Sequence, residues 1–87
     1  MFNDITIQEV KLQAGALVKL MRKREGLTQA QLADKLALSR LTIQNLEAGR
    51  NATMDTLLKV LQHNDMLSGF AAYIATEATN NNYESLY

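Results

Sequence analysis

The segment that most constrains the fold of this chain is residues 28–50, which read TQAQLADKLALSRLTIQNLEAGR. Thr28 followed three positions later by Gln31 forms a capping box, a pattern that satisfies two backbone N–H groups at the start of a helix. Ser39 is a second N-cap candidate further along, and Gly49 is typical of a residue that ends a helix. The segment therefore predicts two short helices joined by a tight turn.

Each of these two helices has one apolar face at helical spacing. The apolar positions are Leu32, Ala33 and Leu36 in the first helix and Ile43 and Leu46 in the second. The second helix then leaves polar side chains on its opposite face, among them Arg40, Thr42, Gln44 and Asn45. Side chains with paired or forked donors suit base edges and phosphates in a DNA major groove.

The chain resembles the Cro/CI (XRE-type) helix-turn-helix repressor family over roughly residues 9–61. The residues that carry the resemblance are the Thr28 and Gln29 pair, the small Ala33, the apolar Ile43 and the LEAGR run that ends the second helix. The resemblance implies an all-α, five-helix, lambda-repressor-like DNA-binding domain. One position departs from the family, which usually has glycine in the turn where this chain has Ala37. If the turn is left-handed, its Cβ costs about 1 kcal/mol.

The resemblance also implies roles for individual residues. In the family, the position of Gln29 holds a phosphate and locks the recognition helix. Arg40 would suit guanine and Asn45 adenine, and Arg50 would contact phosphate. An arginine matching Arg22 pairs with a glutamate matching Glu47 in the related repressors, which implies a structural ion pair here. The complete set of implied DNA contacts is Thr28, Gln29, Ser39, Arg40, Leu41, Thr42, Gln44, Asn45 and Arg50.

The segment before the motif predicts a long first helix. Thr6 and Glu9 form another capping box, and Gly26 is the stop signal. The apolar positions of this helix are Ile7, Val10, Ala14, Leu17 and Met21. Gly15 lies within it and has two interpretations, either a close-packing point or a tolerated cost of about 1 kcal/mol relative to alanine.

Two further helices are expected after the motif. Thr53 caps a fourth helix whose core side is Met54, Leu57, Leu58 and Leu61. A fifth helix from about residue 65 to about residue 76 has an apolar stripe formed by Met66, Leu67, Phe70, Tyr73 and Ile74. We expect one domain over residues 1–76 and a disordered tail over residues 77–87, where apolar periodicity is missing.

The apolar stripe of the fifth helix exceeds what a small domain can bury alone, and such a stripe usually marks an interface. We therefore expect a homodimer in which the stripe forms the contact. A two-fold dimer would place two recognition helices about 34 Å apart, one turn of DNA, and would read a palindromic operator.

The formal net charge is zero, although DNA-binding domains are usually basic. The charges are unevenly distributed, because residues 1–50 contain eight lysines and arginines against five acidic residues, and the remainder contains one lysine against four. The first half is therefore the half expected to face phosphate. Non-specific affinity of a monomer should be weak at physiological salt.

Composition excludes several other classes of protein. The chain has no cysteine, so a disulfide framework or a zinc finger is impossible. No apolar run approaches the roughly 20 residues of a membrane span, and no basic leader precedes one, so a cytoplasmic, unprocessed protein is expected. An enzyme, a cofactor and a metal site are not expected either, since the acidic residues are scattered and there is one histidine.

Three binding functions remain. The first is a DNA-only repressor such as a phage or restriction-modification controller. The second is an antitoxin that represses its own operon as a dimer and also captures a toxin protein. The order of elements and the acidic-then-aromatic end ESLY are similar to those of antitoxins from HipA/HipB-type operons. The third is a protein-binding adaptor that leaves the recognition face unused.

Overall fold

The computed structural model describes residues 4–80, which form five α-helices in the predicted order. They are α1 (Ile7–Arg24), α2 (Gln29–Leu36), α3 (Arg40–Glu47), α4 (Met54–His63) and α5 (Leu67–Asn80). The all-α prediction is confirmed for this part of the chain. None of the helices within it is long and apolar enough to cross a membrane.

The predicted N-caps are present at the first four helices. Thr6 and Thr28 each accept a bond from the backbone N–H three residues on, at 3.0 Å and 3.1 Å, and both capping boxes are complete. The hydroxyls of Ser39 and Thr53 cap α3 and α4 in the same way. These caps satisfy backbone donors that would otherwise have no partner at a helix start.

The same four helices end in a common motif, in which one residue with positive φ allows two backbone bonds to close over the last turn. The four residues are Gly26, Ala37, Gly49 and Asp65. At the turn of the motif, Ala37 has φ 57° and ψ 43°, and the N–H of Leu38 donates to the carbonyl of Ala33 at 2.8 Å. The alanine therefore adopts a left-handed backbone, at a cost of about 1 kcal/mol compared with glycine.

The core lies where α3 packs against α1 and α2, with α4 packed against α2. Its largest fully buried side chains are Leu32, Ile43 and Val60, one each from α2, α3 and α4. Val18 of α1 and Leu46 of α3 join the same cluster. The recognition helix thus contributes its apolar face to the centre of the domain, and its polar face remains outside.

The buried face of α1 differs from the predicted one. Ile7, Val10 and Leu17 are 79%, 49% and 38% exposed, whereas Gly15 and Val18 are buried. Neighbouring positions on a helix lie about 100° apart, so the face that packs is rotated by roughly one residue from the apolar stripe. The reason is that α3 approaches α1 at the position that has no side chain.

The predicted core side of α4 is also corrected in part. Met54 is 73% exposed, because it begins the helix at the edge of the bundle. Thr56 and Val60 are buried in addition to the predicted Leu61, and Leu57 is half-buried. Thr56 tolerates burial because its hydroxyl bonds that of the N-cap residue at 3.0 Å.

Helix α5 continues to Asn80, four residues beyond the predicted end, so residues 77–80 are helical and not part of a disordered tail. Glu77 and Ala78 are good helix formers, and the hydroxyl of Thr79 bonds the carbonyl of Ala75 at 3.0 Å. Intrinsic propensity therefore extends the helix where apolar periodicity has already stopped. The rest of the predicted tail, residues 81–87, lies outside the described residues.

Gly15 is the point of closest approach between α1 and α3. A Cβ at this position would lie 2.5 Å from the carbonyl oxygen of Glu47 and 2.6 Å from that of Leu46. Both atoms are backbone and cannot move aside without displacing α3. Of the two interpretations of this glycine, the structure supports close packing.

We expect Gly15→Ala to destabilise the domain by about 1 to 3 kcal/mol, because it overpacks a contact with rigid backbone. Gly69→Ala is the matched control, since a Cβ there meets no atom within 4 Å and Gly69 is also helical. That control should gain about 0.5 to 1 kcal/mol. Urea unfolding measures both, and similar effects from the two substitutions would contradict the close contact.

Candidate nucleic-acid interface

The outer face of α3 carries the predicted DNA-contact residues of this helix. Ile43 and Leu46 are buried and fix the helix on the domain, which leaves Arg40 and Leu41 exposed. Thr42, Gln44 and Asn45 are half-buried beside them. All five of the predicted contact residues within α3 therefore retain accessible surface, and four of them have polar side chains.

At the start of α3, two predicted contact residues are bonded to each other. The Oγ of Ser39 accepts a bond from the backbone N–H of Thr42 at 3.0 Å, and the two hydroxyls lie 2.7 Å apart. The first turn of the helix is thus held closed by side chains. Both hydroxyls stay at the surface, where they can still offer a further hydrogen bond to a phosphate or a base edge.

At the start of α2, the side chains of Thr28 and Gln29 make different contacts. The Thr28 hydroxyl caps the helix, while the Gln29 Nε2 donates to Glu47 Oε1 at 3.1 Å. Gln29 thereby links the N-terminus of α2 to the last residue of α3. Its amide nitrogen has a second hydrogen that this bond does not use.

Arg22 and Glu47 form a two-pronged ion pair between α1 and the end of α3. The Arg22 Nε and Nη2 donate to Glu47 Oε2 and Oε1 at 2.6 Å and 3.0 Å, and Nη1 donates to the Leu27 carbonyl at 2.9 Å. The two side chains are only 10% and 4% exposed. The resemblance to related repressors implied this pair, and the contact is present here.

The environment of Glu47 favours its charged form. Burial raises the pKa of the carboxyl, but the hydrogen bonds from Arg22 and Gln29 and the charges of Arg22 and Lys19 outweigh burial and hold the pKa below its ordinary value. On the other partner, the hydrogen bond with Glu47 raises the pKa of the Arg22 guanidinium. The pair is therefore ionised at neutral pH and tightly bonded.

The last predicted DNA-contact residue, Arg50, lies just after α3. Its Nε donates to Asn45 Oδ1 at 3.2 Å, and its backbone N–H donates to the Asn45 carbonyl at 2.9 Å. Sequence reasoning placed these two residues in separate roles and missed the contact between them. The signal for it is the glycine stop that precedes Arg50, since a left-handed glycine folds the next residue back over the last turn.

The expected dimer-contact residues are Met66, just before α5, and four residues of α5, a helix in which no residue is buried. Met66, Phe70, Tyr73 and Ile74 are 36%, 38%, 63% and 53% exposed, and Leu67 is half-buried. The exposed stripe that was predicted is thus on the surface of this chain.

Phe70 also borders an apolar groove of about 460 Å³ between the first turns of α1, the start of α4 and α5. Ile7, Val10 and Met54 line this groove. Sequence reasoning had placed Met54 on the core side of the fourth helix and the other two on the apolar stripe of the first helix. Periodicity identifies an apolar face but does not tell whether that face packs internally or lines a surface groove.

Together α2, the left-handed turn and α3 define a helix-turn-helix unit in which the outer face of the second helix is exposed. A match to the helix-turn-helix family covers residues 18–65, and the chain belongs to that family. The resemblance is thereby confirmed, and membership of this family points to a DNA-binding regulator, not an enzyme.

A curated relative is antitoxin HipB of Escherichia coli (strain K12), to which the chain is 39% identical over 51 residues. The aligned residues make up 58% of this chain and 58% of that protein. The chain therefore matches a little over half the length of this relative.

We expect Arg22→Ala to destabilise the domain by about 3 to 5 kcal/mol, because it leaves the buried Glu47 carboxylate uncompensated. The control Lys23→Ala changes an exposed neighbour and should have a small effect. Since the folded pKa of Glu47 is depressed, its contribution is present above the ordinary glutamate pKa and is lost as pH falls through the folded value. Urea unfolding from neutral to acidic pH should therefore show a free energy of unfolding that falls less steeply toward acidic pH in Arg22→Ala than in the wild type. Equal losses of stability from Arg22→Ala and Lys23→Ala would contradict the role of the ion pair.

Proposed function

We propose that this protein is a sequence-specific transcriptional repressor that binds a palindromic operator as a homodimer. The observation that carries the proposal is the accessible polar face of α3, fixed at both ends and presented on a domain of the helix-turn-helix family. In such domains the second helix lies in the major groove, and its first residues contact base edges.

The proposed contacts fall into two groups. Arg40 and Asn45 are assigned to bases, because forked donors suit guanine and a paired donor and acceptor suit adenine. Gln44 and Leu41 lie on the same outer face and complete the base-facing group. The second group contacts phosphate and consists of Thr28, Gln29, Ser39, Thr42 and Arg50.

We expect Arg40→Ala and Asn45→Ala each to reduce discrimination between the operator and a scrambled duplex by about 1 to 3 kcal/mol. Lys23→Ala is the control, since an exposed cation outside the motif can change affinity only by a similar factor for all sequences. Titrations on both duplexes at several salt concentrations measure the difference. Unchanged discrimination in both α3 variants would refute the assignment.

The dimer is proposed from the surface of α5 and the neighbouring groove. Isolated exposed apolar residues are ordinary on small proteins, but here Phe70, Tyr73 and Ile74 follow helical spacing, and Phe70 lines the groove. A second copy that covers this surface would also double the number of phosphate contacts. That doubling matters for a chain with no net charge, since non-specific binding depends on the number of phosphates neutralised.

We expect Phe70→Asp to produce a monomer that no longer binds a palindromic operator tightly, because a charge would have to be desolvated within the interface. The matched control is Leu20→Asp, an exposed apolar position of α1 outside the groove. Sedimentation and circular dichroism separate a folded monomer from an unfolded chain. A wild-type monomer at micromolar concentration that still binds the palindrome tightly would contradict the dimer.

Within this function, we favour an antitoxin that represses its own operon and captures a toxin protein. The support is the relative named antitoxin HipB together with the similarity of the ESLY end to such antitoxins. The alternative is a phage or restriction-modification controller whose partner is DNA alone. An adaptor without DNA binding would leave the polar face of α3 unused and is the least favoured.

Removal of residues 80–87 distinguishes the two proposed binding activities of the antitoxin, which are binding to the operator and capture of a toxin protein. We expect the shortened chain to fold, dimerise and bind the operator, because chain ends contribute little to a core. Capture of the protein encoded beside it should weaken, as measured by co-purification with the full-length chain as control. A neighbouring gene for a kinase-like protein would agree with an antitoxin. A neighbouring methyltransferase or endonuclease gene would favour the controller, as would DNA binding by a chain that captures no protein encoded beside it.

A further inference from the structure

Arg50 is joined to the recognition helix by two bonds to the same residue. Its side-chain Nε donates to Asn45 Oδ1 at 3.2 Å, and its backbone N–H donates to the Asn45 carbonyl at 2.9 Å. The backbone bond belongs to the motif that ends each of the first four helices, so only the side-chain bond is particular to this pair. From the side-chain bond we infer that Arg50 orients the side chain of Asn45.

The backbone that places Arg50 is itself fixed by α1. Gly49 has φ 72°, and a Cβ at this glycine would lie 2.8 Å from the Cδ2 of Leu12. The Gln8 Nε2 donates to the Gly49 carbonyl at 3.4 Å. Arg50 is thus supported by the scaffold, and Asn45 is supported in turn by Arg50.

The chemistry of the contact fixes the orientation of the amide. A guanidinium only donates hydrogen bonds, so the amide atom that faces Arg50 must be the oxygen of Asn45. One lone pair of this oxygen is then occupied, while the second lone pair and both hydrogens of Nδ2 remain available. Rotation of the amide by half a turn would break the bond and place two sets of donors against each other.

We propose that Arg50 is a positioning residue that makes Asn45 select adenine over guanine, an inference that rests on the proposed operator binding. Adenine presents an acceptor at N7 and a donor at N6, which match the nitrogen and oxygen of a fixed amide. Guanine presents acceptors at both N7 and O6, so the fixed amide oxygen would face another acceptor. An amide free to rotate can turn its nitrogen toward both guanine atoms and loses this discrimination.

The test uses duplexes selected from a randomised library by the full-length wild-type chain, followed by titrations of single-base variants of the selected duplex. The variants are Arg50→Met, Asn45→Ala and the double substitution, with Arg24→Met as a control that removes an exposed arginine elsewhere. Because the backbone bond of Arg50 does not depend on its side chain, Arg50→Met should keep the wild-type unfolding midpoint.

We expect Arg50→Met and Asn45→Ala to lose adenine-over-guanine discrimination at the same base pair, by about fivefold or more. The double substitution should lose no more there than Asn45→Ala alone, because Arg50 acts through Asn45. Arg24→Met should leave every base preference unchanged.

Equal weakening of all duplexes by Arg50→Met, with the preference at that base pair intact, would leave Arg50 as a phosphate contact only and overturn the inference. The same follows if Asn45→Ala alters no base preference. If the wild-type chain enriches no sequence from the library, the proposed operator binding itself fails.

Discussion

The arrangement of the whole domain depends on the carboxylate of Glu47, which joins three helices at one point. Arg22 reaches it from α1 and Gln29 from α2, so that its two oxygens accept three hydrogen bonds. Glu47 is the last residue of α3. The end of the recognition helix is therefore fixed to both of the helices that support it.

This contact requires α1 and α3 to lie unusually close together, and the sequence of α1 provides for it. Gly15, Val18 and Arg22 follow helical spacing and form the buried face of that helix. The glycine allows the backbones to approach, the valine fills the core beside it, and the arginine reaches the carboxylate beyond the apolar contact. A side chain at residue 15 would move Arg22 away from Glu47.

A buried ion pair is weak evidence for stability, because desolvation of both charges offsets much of their attraction. In this domain the ion pair matters because it orients one helix relative to another. The Arg22 guanidinium donates two hydrogen bonds to the carboxylate and one to the Leu27 carbonyl. Because these bonds have fixed directions, they define how α3 lies relative to α1. The apolar core alone would permit small rotations of a short helix, and such rotations would misplace the side chains that read bases.

The local signals in the sequence predicted most of the element boundaries, because caps and stops act within a few residues. Thr6, Thr28, Ser39 and Thr53 all cap helices where expected. The packing face of α1 was predicted only in part, since Met21 packs against the core but Ile7, Val10 and Leu17 are exposed. A long helix with apolar residues on two adjacent faces contains no local information about which face packs. That choice is made by Gly15, whose meaning depends on a residue 32 positions away in sequence.

The candidate site shows the same division between local and distant information. The polar face of α3 follows from periodicity, and the resemblance to known repressors implied the partner of Arg22. The bond between Arg50 and Asn45 was missed, because it depends on how the left-handed Gly49 folds the chain back over the helix. The extent of α5 was underestimated because the good helix formers Glu77 and Ala78 extend the helix without being buried in the core.

Helix α3 has only eight residues, a length at which an isolated helix is not stable in water. Its conformation is therefore supplied by its surroundings: Ser39 closes the first turn, Ile43 and Leu46 fix the middle, and Glu47 holds the end. A helix held in this way loses little conformational entropy when it meets DNA, which favours binding through preorganisation. The contacts that stabilise the fold and those that prepare the reading surface are thus the same contacts, and a substitution such as Arg22→Ala should affect both properties together.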